Sequence, residues 1–435
     1  MRLSSTRSPL KTVSFREGVF QGLAPDGGLY QPVSWADLGS VFDSFTSSSS
    51  FLEIATALAS ELLGDELRQD EIVKLCKTAF PFSPSLRKSE EHLWVLELFH
   101  GPSCAFKDFG ASFLAASMEA FLQDSPRRAV ILTATSGDTG SAVAQAFKGR
   151  ESIEVVILYP SGRVSPLQEK QLTTIGGNVH ALEVQGSFDD CQRMVKEAFL
   201  DGELRQALPL TSANSINIGR LLPQAFYYAY ASSRLRDRGP SRFCVPSGNF
   251  GNLTAGVFAW KWGMKVDGYL AATNANDVVP EYLHTRVFSP RPSVHTYSNA
   301  MDVGNPSNFE RLLSMFDNDW EAMRDRISGA AITDVQTAAE IDAVCKRTGV
   351  MLDPHTAVGY LAAEQYLADS GGPAPEIAVL STAHPAKFRE IVEQATGTAP
   401  VLPDRLAECL AKEKVSTMIG NGLDELRGFL MDVVG

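Results

Sequence analysis

From Leu93 onward the chain repeats one rhythm: a short apolar run, a loop rich in glycine and serine, then a segment of helical period. The apolar runs read "LWVLELF", "AVILTAT" (Ala129–Thr135), "EVVILYP", "NVHALEV", "RFCVP", "GYLAATNA" and "EIAVLSTA". Short continuous apolar runs suit strands buried on both faces, and strands that alternate with helices pair in parallel. The expected class is therefore α/β, with two open parallel-sheet domains covered by helices. In such sheets ligands bind beyond the carboxyl ends of the strands, so each loop that follows a strand is a candidate site.

Residues 1–90 follow another pattern. Pro25-Asp26-Gly27-Gly28 is a strong turn signal. "FLEIATALASELLG" (Phe51–Gly64) has helical period and ends in glycine, and a second helix is expected from about Gln69 to Thr78. A mostly helical N-terminal domain is expected over 1–90, an α/β domain over 91–240 and a second over 241–435. A long helix is expected at about Ile218–Arg236. Between about Val278 and Asp334 the pattern weakens.

The net charge of −12 disfavours nucleic acid or an acidic membrane as partner. An anionic ligand must be drawn in by local groups. The six cysteines form no CxxC pair and no zinc signature, so reduced thiols and no metal are expected. No apolar run reaches bilayer length, and "MRLSSTRSPLKTV" leads into no apolar signal core. A cytoplasmic protein, monomer or homodimer, is the expectation.

Four loops carry candidate chemistry. In "LFHGPSCAFKDFGASFL", Lys107 stands between Phe106 and Phe109. It reads either as a surface lysine lying along two aromatics or as a desolvated amine, which is the better nucleophile towards an aldehyde. "VPSGNFGNLTAG" sets Gly248 and Gly251 between a strand and a helix, with Asn249 and Asn252 as added donors. It is either an anion cradle or an ordinary β–α turn. "TATSGDTGSA" offers Ser136, Thr139 and Ser141, with Gly137 and Gly140. It is either a second anion site, for a carboxylate as well as a phosphate, or a helix cap by Ser136 or Asp138. "LSTAHPAKF" places Thr382 at a strand end, where it either caps locally or presents its hydroxyl. His384 reads as structural. No loop matches GxGxxG or GxxxxGK[ST], which argues against a nicotinamide dehydrogenase. Together the four loops offer an amine, two anion cradles and a hydroxyl, the set that a phosphorylated aldehyde cofactor requires.

At this point "FHGPSCAFKDFGASFL", "TSGDTGSAVAQAF", "VPSGNFGNLTAG" and "STAHPAKF" resemble the signature blocks of the threonine synthase family, pyridoxal-phosphate enzymes of fold type II. The resemblance extends to "STR…QGLAPDGGLYQP", "SANSINIGRLLPQ", "SNAMDVGNPSNFERL" and "DPHTAVGYLAA", and so spans Ser5 to Phe388. It favours the longer branch, with an extra N-terminal domain. Ser103-Cys104 departs from the Thr-Leu type of pair expected there, a change read as tolerated packing.

The resemblance implies pyridoxal 5'-phosphate as cofactor, with Lys107 as the Schiff-base lysine and the acid and base of the reaction. It implies Gly248, Asn249, Phe250, Gly251 and Asn252 around the cofactor phosphate, and Thr382 at the pyridine nitrogen. It implies that Ser136, Gly137, Asp138, Thr139 and Gly140 hold the substrate carboxylate. The implied reaction converts O-phospho-L-homoserine and water to L-threonine and phosphate, the last step of threonine biosynthesis. For the departing phosphate, Arg163, Asn214 and Asn217 are the candidates, with Arg163 preferred over Arg220. Asp108 and Asp138 are expected to be structural. The alternatives are a phospholyase that releases 2-oxobutanoate and a non-catalytic protein that keeps the fold.

Overall fold

Strands form where the apolar runs predict them. The computed structural model describes residues 1–123, 128–135 and 137–434. Among these, Ile153–Pro160, Ala129–Ala134, Val179–Val184, Leu210–Thr211 and Thr417–Ile419 make a five-stranded sheet, all parallel. A six-stranded sheet orders Ile327–Ala331, Gly268–Thr273, Ser241–Pro246, Glu376–Ser381, Leu93–Glu97 and Ser85–Glu90. Only the last of these runs antiparallel, to Leu93–Glu97.

The sheets do not follow the division expected at residue 240. Leu93–Glu97 pairs with Glu376–Ser381, and Thr417–Ile419 pairs with Val179–Val184. Each body therefore takes one strand from the other's stretch of chain. Periodicity reports that a strand exists but not which sheet receives it.

In the N-terminal region the helices Phe51–Leu63 and Gln69–Ala79 appear as expected, the first held by a Ser50/Glu53 capping box. The reading missed a three-stranded antiparallel sheet of Thr12–Ser14, Arg2–Ser5 and Tyr30–Pro32. Strands this short carry almost no periodic signal. The helix expected at about Ile218–Arg236 is two, Ile218–Leu221 and Gln224–Leu235, parted at Pro223. The weak stretch after Val278 holds the helices Val278–Thr285, Phe309–Met315 and Trp320–Arg326 and the edge strand Ile327–Ala331.

Helix Lys107–Leu122 lies at the centre. Twelve of its sixteen residues are buried, so it is a core helix rather than a surface one. Its apolar residues belong to one continuous core with the N-terminal helices and both sheets. At Gly110 a Cβ would lie 2.6 Å from the Arg220 carbonyl oxygen. That close approach seats Ile218–Leu221 directly against the helix that begins with Lys107.

Candidate active site

The loop from Leu98 to Phe106 is joined to the strand end that carries Thr382. The Leu98 N–H donates to the Ser381 carbonyl (2.9 Å), and the Phe106 N–H donates to the Thr382 carbonyl (2.8 Å). Ala105 bridges Ala383, and the His384 N–H donates to the Cys104 carbonyl at 3.0 Å. Adjacent parallel strands thus deliver Lys107 and Thr382 side by side. Next along the sheet, Ser241–Pro246 ends at the Gly248–Asn252 turn. The other sheet brings the loop after Ala129–Ala134.

These loops line one cavity of about 360 Å³, within the size range of small-molecule sites. Lys107, Gly137, Asp138, Thr139, Asn214, Gly248, Asn249, Phe250, Gly251, Asn252 and Thr382 all border it. Ser136 lies outside the described residues. Gly140 is set back, its N–H donating to the Thr135 hydroxyl at 3.0 Å. Asn217 faces away. Its amide donates to the carbonyls of Val19 and Ser212, and its Oδ1 caps the helix at Gly219.

The preference between the two arginines is reversed. Arg163 is exposed and does not border the cavity, whereas Arg220 is 2% exposed and does. Arg220 donates to the Ala213 carbonyl through Nη1 (2.7 Å), and its buried Nε has no partner. Both arginines follow turn-rich stretches, and only the packing of Ile218–Leu221 against Gly110 distinguishes them. Ser103 and Cys104 stay out of the cavity, and Cys104 packs with Ala386 and Leu406. His384 accepts the Ala386 N–H and caps the turn Pro385–Phe388, the structural role expected of it.

The Gly248–Asn252 turn directs backbone and side-chain donors towards the cavity. Phe250 adopts a left-handed conformation (φ 59°) immediately before helix Gly251–Lys261, whose first-turn N–H groups lack intrahelical acceptors. At Gly248 a Cβ would stand 2.6 Å from the Met301 Cα, so only glycine lets the two backbones pass. Asn249 ties the turn to the Ser215 hydroxyl and the Ser307 N–H. Asn252 takes hydroxyl donors from Tyr227 (2.7 Å) and Tyr228 (2.8 Å) on Oδ1, which leaves its buried Nδ2 without a partner.

The cavity is bordered by two cations, Lys107 and Arg220, and two carboxylates, Asp138 and Asp302. Burial lowers the Lys107 amine to about 8, with Arg220 and Lys387 adding to the fall and Asp138 working against it. Burial alone would raise Asp138, but the charges of Lys387 and Lys107 outweigh it and hold the carboxyl well below its usual range. Burial pushes Asp108 up to about 6, and it lowers Arg220 to about 10, where it keeps its charge at neutral pH.

Two residues of the resembling blocks have parts that the sequence reading did not assign. His355 borders the cavity, with Nδ1 at 2.8 Å from Asp353 and Nε2 accepting the Ala300 N–H at 3.2 Å. It braces the segment that backs Gly248. Lys387 is wholly buried, 2.7 Å from Asp138. A histidine two residues after an aspartate, and a lysine inside an apolar run, were the available signals.

Comparison with known proteins identifies the family. Residues 77–382 match the family of pyridoxal-phosphate dependent enzymes. Residues 2–80 match the threonine synthase N terminus, and residues 356–430 match the threonine synthase C-terminal region. The threonine synthase of Haemophilus influenzae is 42% identical over 434 residues, covering 99% of this chain and all of that one. The chain belongs to the threonine synthase family. The Escherichia coli threonine synthase is 42% identical over 410 residues, covering 94% of each chain. The structure of a pyridoxal-phosphate-bound threonine synthase from Brucella melitensis superimposes with a TM-score of 0.92 at 35% identity, covering 99% of this chain and 98% of that one. A maize serine racemase, 17% identical with a TM-score of 0.53 and covering 72% of this chain and 92% of that one, shares the fold alone. Like other threonine synthases, this chain is a pyridoxal-phosphate-dependent lyase of fold type II.

The residues present fit that cofactor. The orphaned Asn252 amide, the free helix start and the bare Gly248 backbone suit a phosphate, and the Lys107 amine across the same cavity suits an aldehyde. No described helix is long and apolar enough to cross a membrane.

Proposed function

We propose that this cavity takes O-phospho-L-homoserine and water and yields L-threonine and phosphate. One observation carries the reading. A half-buried lysine amine, two helix N-termini, the Thr382 strand end and a buried arginine border a single space. Pyridoxal phosphate, when bound, supplies the electron sink for the pair left at the substrate α-carbon.

The chain's own residues do the rest. The Gly248–Asn252 turn holds the cofactor phosphate, and the Thr382 hydroxyl serves the ring nitrogen. The start of helix Asp138–Phe147, with Gly137 and Thr139, holds the substrate carboxylate. Lys107, lowered to about 8, accepts a proton from Cα near neutral pH and returns it. Arg220 and Asn214 receive the departing phosphate. The Asn214 Oδ1 is already taken by the Thr133 hydroxyl, so its amide protons are the part left to donate. An arginine fork matches phosphate geometry, and a desolvated one binds more strongly than an exposed one. Water adds at Cβ. The six unpaired cysteines support a cytoplasmic setting.

The test is borohydride reduction of the holoenzyme followed by peptide mapping, with product analysis on O-phospho-L-homoserine. The expected results are a reduced adduct on Lys107, lost in Lys107→Ala, and threonine as product. A label on another lysine, or 2-oxobutanoate in place of threonine, would overturn the reading.

A further inference from the structure

In the cavity wall stands a buried ion pair between two side chains to which the proposed reaction gives no task. Lys387, in the turn Pro385–Phe388 just past Thr382, has a side chain with no exposed surface. Its Nζ lies 2.7 Å from Asp138 Oδ1 and donates to the Ser103 carbonyl at 2.8 Å. The Gln168 amide donates to the same Oδ1 (3.1 Å), and the Gln171 amide donates to the same Ser103 carbonyl (3.1 Å). The cluster joins the Lys107 loop, the start of helix Asp138–Phe147 and helix Pro166–Thr173.

Stability alone is a poor reason for such a pair. Taking two ions out of water is costly, and well-packed apolar residues of similar volume often serve a fold as well or better. The position of the pair suggests another task. Asp138 borders the cavity with Lys107, while Lys387 stands behind it. The charges acting on Lys107 are Asp138, which favours its ammonium form, and Arg220 and Lys387, which oppose it. Asp108 shares the helix of Lys107, and His355 and Asp302 border the same cavity.

We propose that Lys387 is a positioning residue: its ammonium pins the Asp138 carboxylate, and the pair together sets how tightly the Lys107 amine holds a proton. The inference rests on Lys107 being the acid–base amine of the proposed reaction. Its two members act in opposite directions. Without the Asp138 charge, Lys387 and Arg220 repel a proton on Lys107 unopposed. Without the Lys387 charge, Asp138 attracts that proton against Arg220 alone.

The experiment measures two quantities on the holoenzyme: the pH midpoint of its visible absorbance, and the acidic limb of kcat/KM. Asp138→Asn is expected to lower both midpoints by about one pH unit, Lys387→Met to raise both by about one, and Lys387→Arg to keep the starting values. A purely structural pair would reduce stability in both variants without moving the midpoints in opposite directions. Midpoints that stay in place, or that move the same way in both variants, overturn the proposal. Should Lys387→Met fail to fold, the nearly isosteric Asp138→Asn decides alone, and an unmoved midpoint there is sufficient refutation. Borohydride mapping separates the two levels. A label away from Lys107 overturns the proposed function, whereas a label on Lys107 with unmoved midpoints overturns only this inference.

Discussion

Two glycines of the same turn are expected to respond oppositely to one added methyl group. In Gly248→Ala the new Cβ would sit 2.6 Å from the Met301 Cα and 3.0 Å from the Ala300 carbonyl oxygen, where ordinary contact begins at 3.4 Å. The obstruction is backbone and cannot rotate away. The turn or the 299–301 segment must move by about 0.8 Å, at an overpacking cost of about 1–3 kcal/mol. A displacement of that size breaks the aim of at least one N–H at the cofactor phosphate. One charge-assisted hydrogen bond is worth about 1.5–3 kcal/mol, so cofactor affinity should fall by about 10- to 150-fold. In Gly251→Ala the Cβ meets the Asn308 amide at 3.4 Å and Ser215 at 3.7 Å, an ordinary fit, and affinity should stay within about threefold. The assay is titration of each cofactor-stripped variant with pyridoxal phosphate, followed by absorbance. Equal losses in the two variants, or an unimpaired Gly248→Ala, would refute the argument that this turn is held against Met301.

Three further outcomes follow from the same structure. Arg220→Met should lower kcat/KM by about 100-fold or more, and Arg163→Met by less than about threefold, because only the first arginine is desolvated in the cavity. The Asp108 carboxyl binds its proton more tightly folded than unfolded. Its stabilising effect is therefore complete in acid and fades as pH rises from the ordinary 3.8 to about 6. Asp108→Asn, which keeps an acceptor for the Ser103 N–H, should remove that fade and raise stability at neutral pH by up to about 3 kcal/mol, read as unfolding midpoints across pH. His355→Phe leaves the Ala300 N–H and the Asp353 carboxylate each short of a partner, at about 1–3 kcal/mol apiece. A lowered melting temperature and weaker cofactor binding together would check it.

What the sequence made legible was local. Lys107, the Gly137–Thr139 stretch, the Gly248–Asn252 turn and Thr382 each follow a strand and carry glycine or hydroxyl chemistry at that spot, so one pass along the chain finds them. Their convergence is also readable, because parallel α/β sheets direct such loops to one edge. What stayed hidden depends on contacts between distant segments. Arg163 and Arg220 look alike in sequence, and only the folded packing reveals which one is buried. Asn217 reads as a donor to ligand because its inward partners, the Val19 and Ser212 carbonyls, cannot be seen from its neighbours. Lys387 lies in a block quoted for its resemblance, yet its counterion is in another sheet's loop.

The exchange of strands between the two sheets bears on how the enzyme is made. Leu93–Glu97 needs Glu376–Ser381 as a neighbour, and Val179–Val184 receives its outer partner only with Thr417–Ile419. A growing polypeptide on the ribosome therefore carries Lys107 long before the strand that will lie beside Leu93–Glu97 has been translated. Until then Leu93–Glu97 lacks that neighbour, and an unpaired strand edge is available to other chains. Completion of the cavity and closure of that edge both wait for Glu376–Ser381.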